Sequence, residues 1–270
     1  ICPMLNAMPR AVPISGIKQE TPLVRSYTFD YSVGAQPGQF VNVWIPGVNE
    51  RPMSVAFDDG KKLTLSIAAV GDMTKKLATF KIGDLVGIRG PYGTAFHWKP
   101  RQRIVMVAGG YGVAPLYFCA ALAIKDGCRV DFITGARSSE HLLFADRVRG
   151  LKNVNLHIAT NDGSTGHKGF NTEILESLIK DGSRIDLIMT CGPEMMMKKV
   201  SDMAWKKKIQ CQVSVERYMK CGFSICGNCV VDDLGITTCQ SGPVMENSVV
   251  RKIKEFGVYH RDAQGLKHFY

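Results

Sequence analysis

The sequence predicts a protein of three parts: an antiparallel β-barrel, a doubly wound α/β domain with a parallel sheet, and a small C-terminal lobe rich in cysteine. Three observations support this. Short strand-like runs fill the first hundred residues, apolar strands alternate with helical stretches from residue 101, and three cysteines lie within residues 221–229. We expect the barrel at 1–100, the α/β domain at 101–208, the lobe at 209–250 and a tail at 251–270.

The barrel is indicated by short runs of alternating and β-branched residues, among them LVRSYTFDY, QFVNVWI and KLTLSIAAV. Glycine-containing turn segments at 34–38, 58–60 and 90–93 separate such runs. Strands this short, at this spacing, are typical of a small antiparallel barrel.

A parallel sheet is indicated by four apolar runs that end in small residues: RIVMVAG, CRVDFITGA, VNLHIAT and IDLIMTCG. Helix-like stretches such as PLYFCAALAIKDG and NTEILESLIKDG lie between them. This alternation predicts a sheet with helices on both faces. Ligands of such sheets bind at the carboxyl ends of the strands.

The composition limits the class of protein. With 45% hydrophobic and 21% charged residues, the chain is expected to fold into globular domains. The net charge of +10 is spread along the chain, so we do not expect nucleic-acid binding. The uncharged stretch 104–123 contains three glycines and a proline, which predicts strand, turn and helix rather than a membrane span. Five scattered cysteines and no secretory leader favour a reducing cytoplasm.

Four cysteines form the most specific motif. Cys221, Cys226, Cys229 and Cys239 give the spacing C-x4-C-x2-C-x9-C, which supplies four thiolates for a 2Fe-2S cluster or a structural zinc. Small residues within the loop, Gly222, Ser224 and Gly227, would let backbone N–H groups approach cluster sulfurs. Zinc ribbons more often contain two C-x2-C pairs, so the spacing favours the cluster over zinc or unligated thiols.

Two barrel segments are candidate flavin contacts. Arg51-Pro52-Met53-Ser54 offers a guanidinium for a pyrophosphate and a hydroxyl for the ring edge. Further on, Gly71 and Thr74 fall at a predicted helix N-terminus, where N–H groups and a hydroxyl bind phosphate oxygens. An ordinary surface arginine and a capping threonine are the structural alternatives.

Two α/β segments are candidate nucleotide contacts. Gly109, Gly110 and Gly112 follow the first apolar strand, and Val113, Ala114 and Pro115 open the next helix. The pattern departs from G-x-G-x-x-G, so the glycines predict either a pyrophosphate contact or only a tight turn. A later strand ends in Cys191-Gly192-Pro193-Glu194, which we expect to face the same crevice.

In this order, the motifs R-P-x-S-V, G-x-x-T, G-G-x-G-x-A-P, C-G-P-E-M and the four-cysteine set resemble the ferredoxin-NADP reductase superfamily. Within it, residues 10–245 most resemble the electron transfer subunits of NAD-linked (type B) dihydroorotate dehydrogenases. The resemblance implies a 2Fe-2S cluster on the four cysteines and NAD(H) on the α/β domain. It also implies FAD on the barrel at residues 51–54 and at Ala68, Ala69, Val70, Gly71, Met73 and Thr74.

The resemblance further implies a function. Nicotinamide delivers two electrons as hydride and an iron-sulfur centre accepts one, so a flavin between them serves as converter, and no catalytic acid or base is required. Electrons would pass between NAD and an FMN-containing dihydroorotate dehydrogenase subunit in de novo pyrimidine (UMP) biosynthesis, in a heterotetramer with two copies of each subunit. Alternatives are a reductase (gamma-type) subunit of a hydrogenase or sulfhydrogenase, an NAD(P)H-ferredoxin oxidoreductase, and a non-enzymatic zinc-binding protein.

The choice between NAD and NADP depends on the loop after the strand VDFITG. Arg137 and Ser138 there favour a 2'-phosphate, whereas Glu140 disfavours one. The family resemblance favours NAD.

Overall fold

The computed structural model describes residues 8–232 and 234–270. The first domain is a half-barrel of seven antiparallel strands in the order β1-β7-β4-β5-β6-β3-β2. Its elements are β1 Arg10–Pro13, β2 Gly16–Gln19, β3 Val24–Phe29, β4 Phe40–Ile45, β5 Asn49–Asp58, β6 Leu63–Ala68, α1 Asp72–Leu77 and β7 Leu85–Tyr92. Alternate residues of β6 are buried, because one face of the sheet covers an apolar core while the other is partly solvated.

The second domain is a seven-stranded sheet in the order β11-β10-β9-β8-β12-β13-β14, parallel except that β14 runs antiparallel to β13. Its strands are β8 Arg103–Gly109, β9 Arg129–Ala136, β10 Val154–Thr160, β11 His167–Lys168, β12 Leu187–Cys191, β13 Gln210–Ser214 and β14 Val244–Glu246. The main helices are α2 Val113–Ala123, α3 Ala145–Arg149, α4 Asn171–Lys180 and α5 Glu194–Lys206. The predicted fold class is therefore confirmed.

The centre of this sheet is buried on both faces. One face packs on α2, and the other packs on α4 and α5, so β8 and β12 are almost wholly apolar. The chain runs outward from β8 through β9 to β10 and then crosses back to β12, so the strand order reverses between β8 and β12. This reversal creates the crevice in which open α/β sheets bind their ligands.

The stretch 104–123 forms strand β8, a glycine turn and helix α2, as the sequence predicted. Within the described ranges, no helix is both long enough and apolar enough to cross a bilayer.

The cysteine segment leaves the second sheet after β13 and returns to it at β14, and it contains the short helix α6 Thr238–Ser241. Beyond β14 the chain forms α7 Asn247–Val250 and an antiparallel hairpin of β15 Tyr259–Arg261 and β16 Lys267–Phe269. Tyr259 Oη and an Arg261 guanidinium nitrogen each lie 2.7 Å from Asp232 Oδ2, so the hairpin is bound to the cysteine segment. The sequence did not predict this hairpin, because the tail shows no clear period.

Helix α2 joins the two domains. Phe118 lies in the barrel core although it belongs to α2, and its ring centroid is 5.1 Å from that of Phe57 on β5. An ion pair between Arg147 of α3 and Glu20 after β2 adds a second contact. Strand β5, which contains residues 51–54, is therefore fixed against the helix that follows the glycine turn.

Candidate flavin, nucleotide and cluster sites

The four cysteines of the predicted cluster set lie together in two hydrogen-bonded pairs. The backbone N–H of Cys226 donates to Cys221 Sγ at 3.5 Å, and that of Cys239 donates to Cys229 Sγ at 3.4 Å. The N–H of Ser224 donates to Cys239 Sγ at 3.2 Å, which connects the loop to α6. The fold thus brings Cys239 to the other three cysteines across the nine intervening residues.

The loop is held in this shape by local contacts. Gly222 has φ +85°, and a Cβ there would lie 2.9 Å from the ring of Tyr92, so only glycine fits. The N–H and the hydroxyl of Thr238 both donate to the carbonyl of Cys229, at 2.9 and 3.0 Å. These contacts fix α6 against the loop.

The electrostatics of the loop lower the pKa of two of its cysteines, Cys221 and Cys229. A hydrogen bond from the Cys239 side chain lowers the pKa of Cys229 to about 7, and this bond raises the pKa of Cys239. Burial opposes ionisation of Cys221, but donation from backbone N–H groups outweighs it and lowers its pKa. In contrast, burial raises the pKa of Cys119 and Cys211, which lie outside the loop. Thiolates are the ligands of iron and zinc, so the donor set fits a metal centre.

The paired arrangement suits a binuclear centre. A four-cysteine 2Fe-2S cluster likewise spreads its four thiolates over two irons, with two on each. Cys226 is exposed, Cys221 is half-buried, and Cys229 and Cys239 are buried, so one side of the loop faces solvent.

Strand β5 contacts the segment that leads into the cysteine loop. An Arg51 guanidinium nitrogen lies 3.2 Å from Tyr218 Oη, and the guanidinium carbon lies 5.3 Å from the centroid of that ring. From the neighbouring strand β4, buried Asn42 donates through Nδ2 to the carbonyl of Lys220 at 2.8 Å. The predicted flavin strand and the predicted cluster loop are therefore adjacent.

Residues 51–54 lie on β5 with graded exposure. Arg51, Pro52 and Met53 are half-buried, and Ser54 is exposed. Buried Arg89 forms an ion pair with half-buried Glu50, the residue before Arg51, and also lies over the ring of Phe223. A half-buried guanidinium and an exposed hydroxyl on one strand fit the donors that a flavin requires.

In the loop before α1, Thr74 acts as a capping residue, which is the structural alternative to a phosphate contact. Its hydroxyl oxygen accepts hydrogen bonds from the N–H groups of Val70 and Gly71, at 3.1 and 3.0 Å. Met73 and Thr74 are buried, Ala68 and Ala69 are half-buried, and Val70 and Gly71 are exposed. The threonine hydroxyl is therefore engaged inside the loop, and the residues exposed there are Val70 and Gly71.

The glycine turn and the C-G-P-E segment pack directly on each other at the reversal point. A Cβ on Gly112 would lie 2.3 Å from the carbonyl oxygen of Cys191, and one on Gly109 would lie 2.8 Å from Pro193 Cδ. Gly192 has φ +148°, and a Cβ there would lie 2.8 Å from the Gly109 carbonyl oxygen. Only Gly110 faces open space among these glycines, so it is the one at which a ligand has room.

The other predicted nucleotide contacts, Val113 to Pro115 and Glu194, are buried and belong to the protein interior. Val113, Ala114 and Pro115 are buried in the first turn of α2. The Glu194 carboxylate is 2.7 Å from an Arg217 nitrogen and accepts a 2.7 Å hydrogen bond from the N–H of Gly257. Glu194 is therefore engaged by a buried ion pair, which the sequence did not reveal.

Cys191 ends β12 at this crevice and is half-buried. Burial raises its pKa to about 12, so it stays a neutral thiol at physiological pH. Glu216 is a neighbour that sequence reasoning missed. The sequence could have drawn attention to Glu216 only through its position, five residues before the first cysteine of the cluster set, Cys221.

Comparison with known proteins agrees with this geometry. A family model described as "Oxidoreductase NAD-binding domain" matches residues 106–202, and one described as "Iron-sulfur cluster binding domain of dihydroorotate dehydrogenase B" matches residues 216–251. Among solved structures, the NADH-dependent reduced ferredoxin-NADP oxidoreductase of flavin-based electron bifurcation superposes with a TM-score of 0.80 at 26% identity, over 88% of each chain. A ferredoxin NADP+ reductase from Neisseria gonorrhoeae with bound FAD and NADP shares the fold, with a TM-score of 0.63 at 20% identity, over 73% of this chain and 90% of that one.

Fold and site thus define an oxidoreductase of the ferredoxin reductase type with an added iron-sulfur domain. Two similar proteins are both named "Probable dihydroorotate dehydrogenase B (NAD(+)), electron transfer subunit". The one from Methanocaldococcus jannaschii is 46% identical over 95% of this chain and 97% of its own. The one from Methanothermobacter thermautotrophicus is 40% identical over 96% and 97%. The chain belongs to the family of dihydroorotate dehydrogenase B electron transfer subunits, which confirms the resemblance seen in the motifs.

Proposed function

We propose that this chain passes electrons between NAD(H) and an FMN-containing dihydroorotate dehydrogenase subunit, through FAD and a 2Fe-2S cluster, in de novo pyrimidine biosynthesis. One observation carries the proposal. Strand β5 contacts the entrance of the cysteine loop through Arg51 and Tyr218, and it packs on α2 through Phe57 and Phe118. The flavin strand is thus in contact both with the cluster loop and with the helix that follows the glycine turn.

FAD, when bound, supplies the conversion between two-electron hydride transfer and one-electron transfer. On this proposal Arg51 and Ser54 orient it on β5, and the exposed residues Val70 and Gly71 lie beside it. Tyr218 holds the Arg51 guanidinium from the side of the lobe, which limits the freedom of that side chain.

NAD(H) would bind over Gly110, where the glycine turn is open, and against Cys191 on the neighbouring strand. Since the Cys191 thiol is neutral, it packs against the nicotinamide without adding charge. Hydride transfer needs no proton donor, so we assign no catalytic acid or base. The chain's contribution is to position the nucleotide and to exclude water, and it serves electron flow in either direction.

The four cysteines would hold the cluster, with two thiolates on each iron. Cys226 is exposed, and the neighbouring Ile225 side chain is 75% exposed. This exposed apolar side chain within the cluster loop is available for contact with a protein partner. We therefore place the catalytic subunit here, in a cytoplasmic heterotetramer with two copies of each subunit.

The test is reduction of the partner. With both proteins prepared anaerobically, NADH should reduce the FMN subunit only when this chain is present. As a control, Cys128→Ala removes a thiol remote from the lobe and should leave the rate of FMN reduction unchanged. Identical rates with and without the chain would end the proposal.

A second candidate function is a reductase subunit for a ferredoxin or a hydrogenase. The likeness to an NADH-dependent ferredoxin-NADP oxidoreductase, at 26% identity over 88% of each chain, favours it. Co-purification separates the two: an FMN protein that oxidises dihydroorotate supports the first function, and a hydrogenase or ferredoxin supports the second. The zinc-binding alternative predicts a colourless protein, whereas flavin and cluster give a brown one.

A further inference from the structure

A buried ion pair lies between the barrel and the cysteine loop. Arg89 on β7 is 8% exposed, and its guanidinium binds both carboxylate oxygens of Glu50 on β5, one of them at 2.7 Å. The Glu50 side chain is 25% exposed, so it is the partner nearer to solvent. Apolar residues often stabilise a protein interior as well as such a pair does, because removing two charges from water is costly. The pair is therefore a candidate for a role other than stability.

The guanidinium of this pair lies against the cysteine loop. Its carbon is 5.3 Å from the centroid of the Phe223 ring and 5.6 Å from that of Tyr92, and one nitrogen is 3.5 Å from the carbonyl oxygen of Lys220. Lys220 and Phe223 lie on either side of Cys221 and Gly222 in the sequence. Tyr92 also contacts the loop, since a Cβ on Gly222 would lie 2.9 Å from its ring. A positive charge thus lies beside the segment that contains the first predicted cluster ligand.

Further contacts hold this charge in place. Asn42 on β4 is fully buried, and its Nδ2 donates to the carbonyl of Lys220 at 2.8 Å and lies 3.4 Å from the carbonyl oxygen of Cys221. A second nitrogen of the Arg89 guanidinium lies 3.3 Å from Tyr92 Oη. The Lys220 side chain, in contrast, is exposed. Because Arg89 is buried, water and salt screen its charge less than they screen that of Lys220.

A fixed charge near an iron-sulfur centre changes its reduction potential. One-electron reduction adds one negative charge to the centre, so a nearby cation favours the reduced form and a nearby anion disfavours it. At an effective dielectric constant of about 20, a unit charge within about 10 Å of a redox centre changes the equilibrium constant for reduction about 10-fold. The guanidinium contacts the loop, and the carboxylate is nearer to solvent, so the cation should have the larger effect.

We propose that the Arg89–Glu50 ion pair sets the reduction potential of the 2Fe-2S cluster. Arg89 raises the potential by favouring the reduced, more negative centre, and Glu50 limits the increase by compensating part of the charge. The inference rests on the proposed function, because it assumes that the four cysteines hold the cluster. It assigns a role in redox tuning to two residues that lie outside the predicted ligand and flavin-binding sets.

The test is an anaerobic potentiometric titration of the flavin- and cluster-containing protein, monitored by electron paramagnetic resonance. Arg89→Gln should lower the midpoint potential of the cluster by about 59 mV, which corresponds to an equilibrium constant for reduction about 10-fold lower. Glu50→Gln should raise the potential, because it leaves the guanidinium uncompensated. Arg89→Lys should keep most of the original potential, because it keeps the charge. All three variants lose the bidentate pair, so a purely structural role predicts shifts of the same sign in all three.

The matched control is Glu20→Gln, which breaks a similar ion pair with Arg147 beside the edge strand β2 and should leave the potential unchanged. Shifts of the same sign in Arg89→Gln and Glu50→Gln would overturn the proposal, as would an unchanged potential in either variant. If Arg89→Gln does not fold, Glu50→Gln decides, because it changes the more exposed partner. Unmodified protein without iron and acid-labile sulfide would refute the cluster itself, so the two failures are distinguishable.

Discussion

Gly112→Ala should damage the crevice at the strand reversal by a steric effect alone. Gly112 has φ −62°, so alanine meets no backbone strain there. Its Cβ, however, would lie 2.3 Å from the carbonyl oxygen, 2.5 Å from the carbonyl carbon of Cys191 and 2.7 Å from the nitrogen of Gly192. All three are backbone atoms and cannot rotate away. The turn and the C-G-P segment must therefore separate.

Overpacking of this kind costs about 1–3 kcal/mol, and the backbone contacts place Gly112→Ala at the upper end, near 3 kcal/mol. For a chain of this size, that corresponds to a fall in melting temperature of about 6–12 °C. Calorimetric melting of the cofactor-loaded protein measures the fall. Steady-state kinetics with NADH and a dye acceptor should also show KM raised at least about 10-fold, because separation of the two motifs deforms the nucleotide crevice.

The matched control is Gly150→Ala. Gly150 has φ −73°, and a Cβ there would meet only ordinary contacts, at 3.5 and 3.6 Å. It should melt within about 1 °C of the unmodified protein, as expected for a surface change. If Gly112→Ala matched this control in both melting temperature and KM, the close packing of the two motifs at the crevice would be refuted.

Three further changes test the cluster, the flavin strand and the buried charges. Cys239→Ser should remove the 2Fe-2S absorption and the acid-labile sulfide but keep the flavin, whereas the control Cys211→Ala should keep the cluster and the flavin. A cluster retained in Cys239→Ser would show that Cys239 is not a ligand. Arg51→Ala should lower the FAD content of purified protein, while Tyr218→Phe, which keeps the ring under the guanidinium, should lower it less; unchanged flavin in Arg51→Ala would contradict its role. Burial opposes ionisation of Asp131, but hydrogen bonds from neighbouring side chains on β8 and β10 outweigh it and lower its pKa, so its stabilising contribution is present above pH 4 and fades as the pH falls through the lowered pKa. Asp131→Asn should therefore cost about 3 kcal/mol at pH 7, measured by denaturant unfolding, and less at pH 3; a pH-independent cost would be inconsistent with a charged Asp131.

The cysteine set and the α/β motifs could be predicted because their signals are local. Spacing alone selected Cys221, Cys226, Cys229 and Cys239, and the structure places all four in one lobe. Strand-end glycines likewise marked the reversal point, since a continuous apolar strand followed by glycine and proline is characteristic of a buried parallel strand and its crossover.

The contacts that join the domains could not be predicted, because they link residues far apart in the chain. Arg51 and Tyr218 are 167 positions apart, and Asn42 and Lys220 are 178 positions apart. Neither pair has a period or spacing that a single sequence displays. Cofactor-binding roles for the barrel and α/β residues, and the exact domain boundaries, stay predictions.

Glu194 illustrates a second limit of sequence reasoning. Its place in the C-G-P-E segment predicted a nucleotide contact, yet its carboxylate lies in a buried ion pair with Arg217, which also contacts Glu255 of the tail at 2.6 Å. A charged residue beside a motif is easily interpreted as functional. It can instead be buried as the ion-pair partner of an arginine in the protein interior.

The most direct test of the central claim, that a flavin on the barrel connects nicotinamide to the cluster, is anaerobic reduction by NADH followed by electron paramagnetic resonance. In the complete protein, NADH should bleach the flavin and produce the signal of a reduced 2Fe-2S centre. In protein stripped of flavin, the cluster should remain oxidised with NADH and still accept electrons from dithionite. Reduction of the cluster by NADH without flavin would contradict the account.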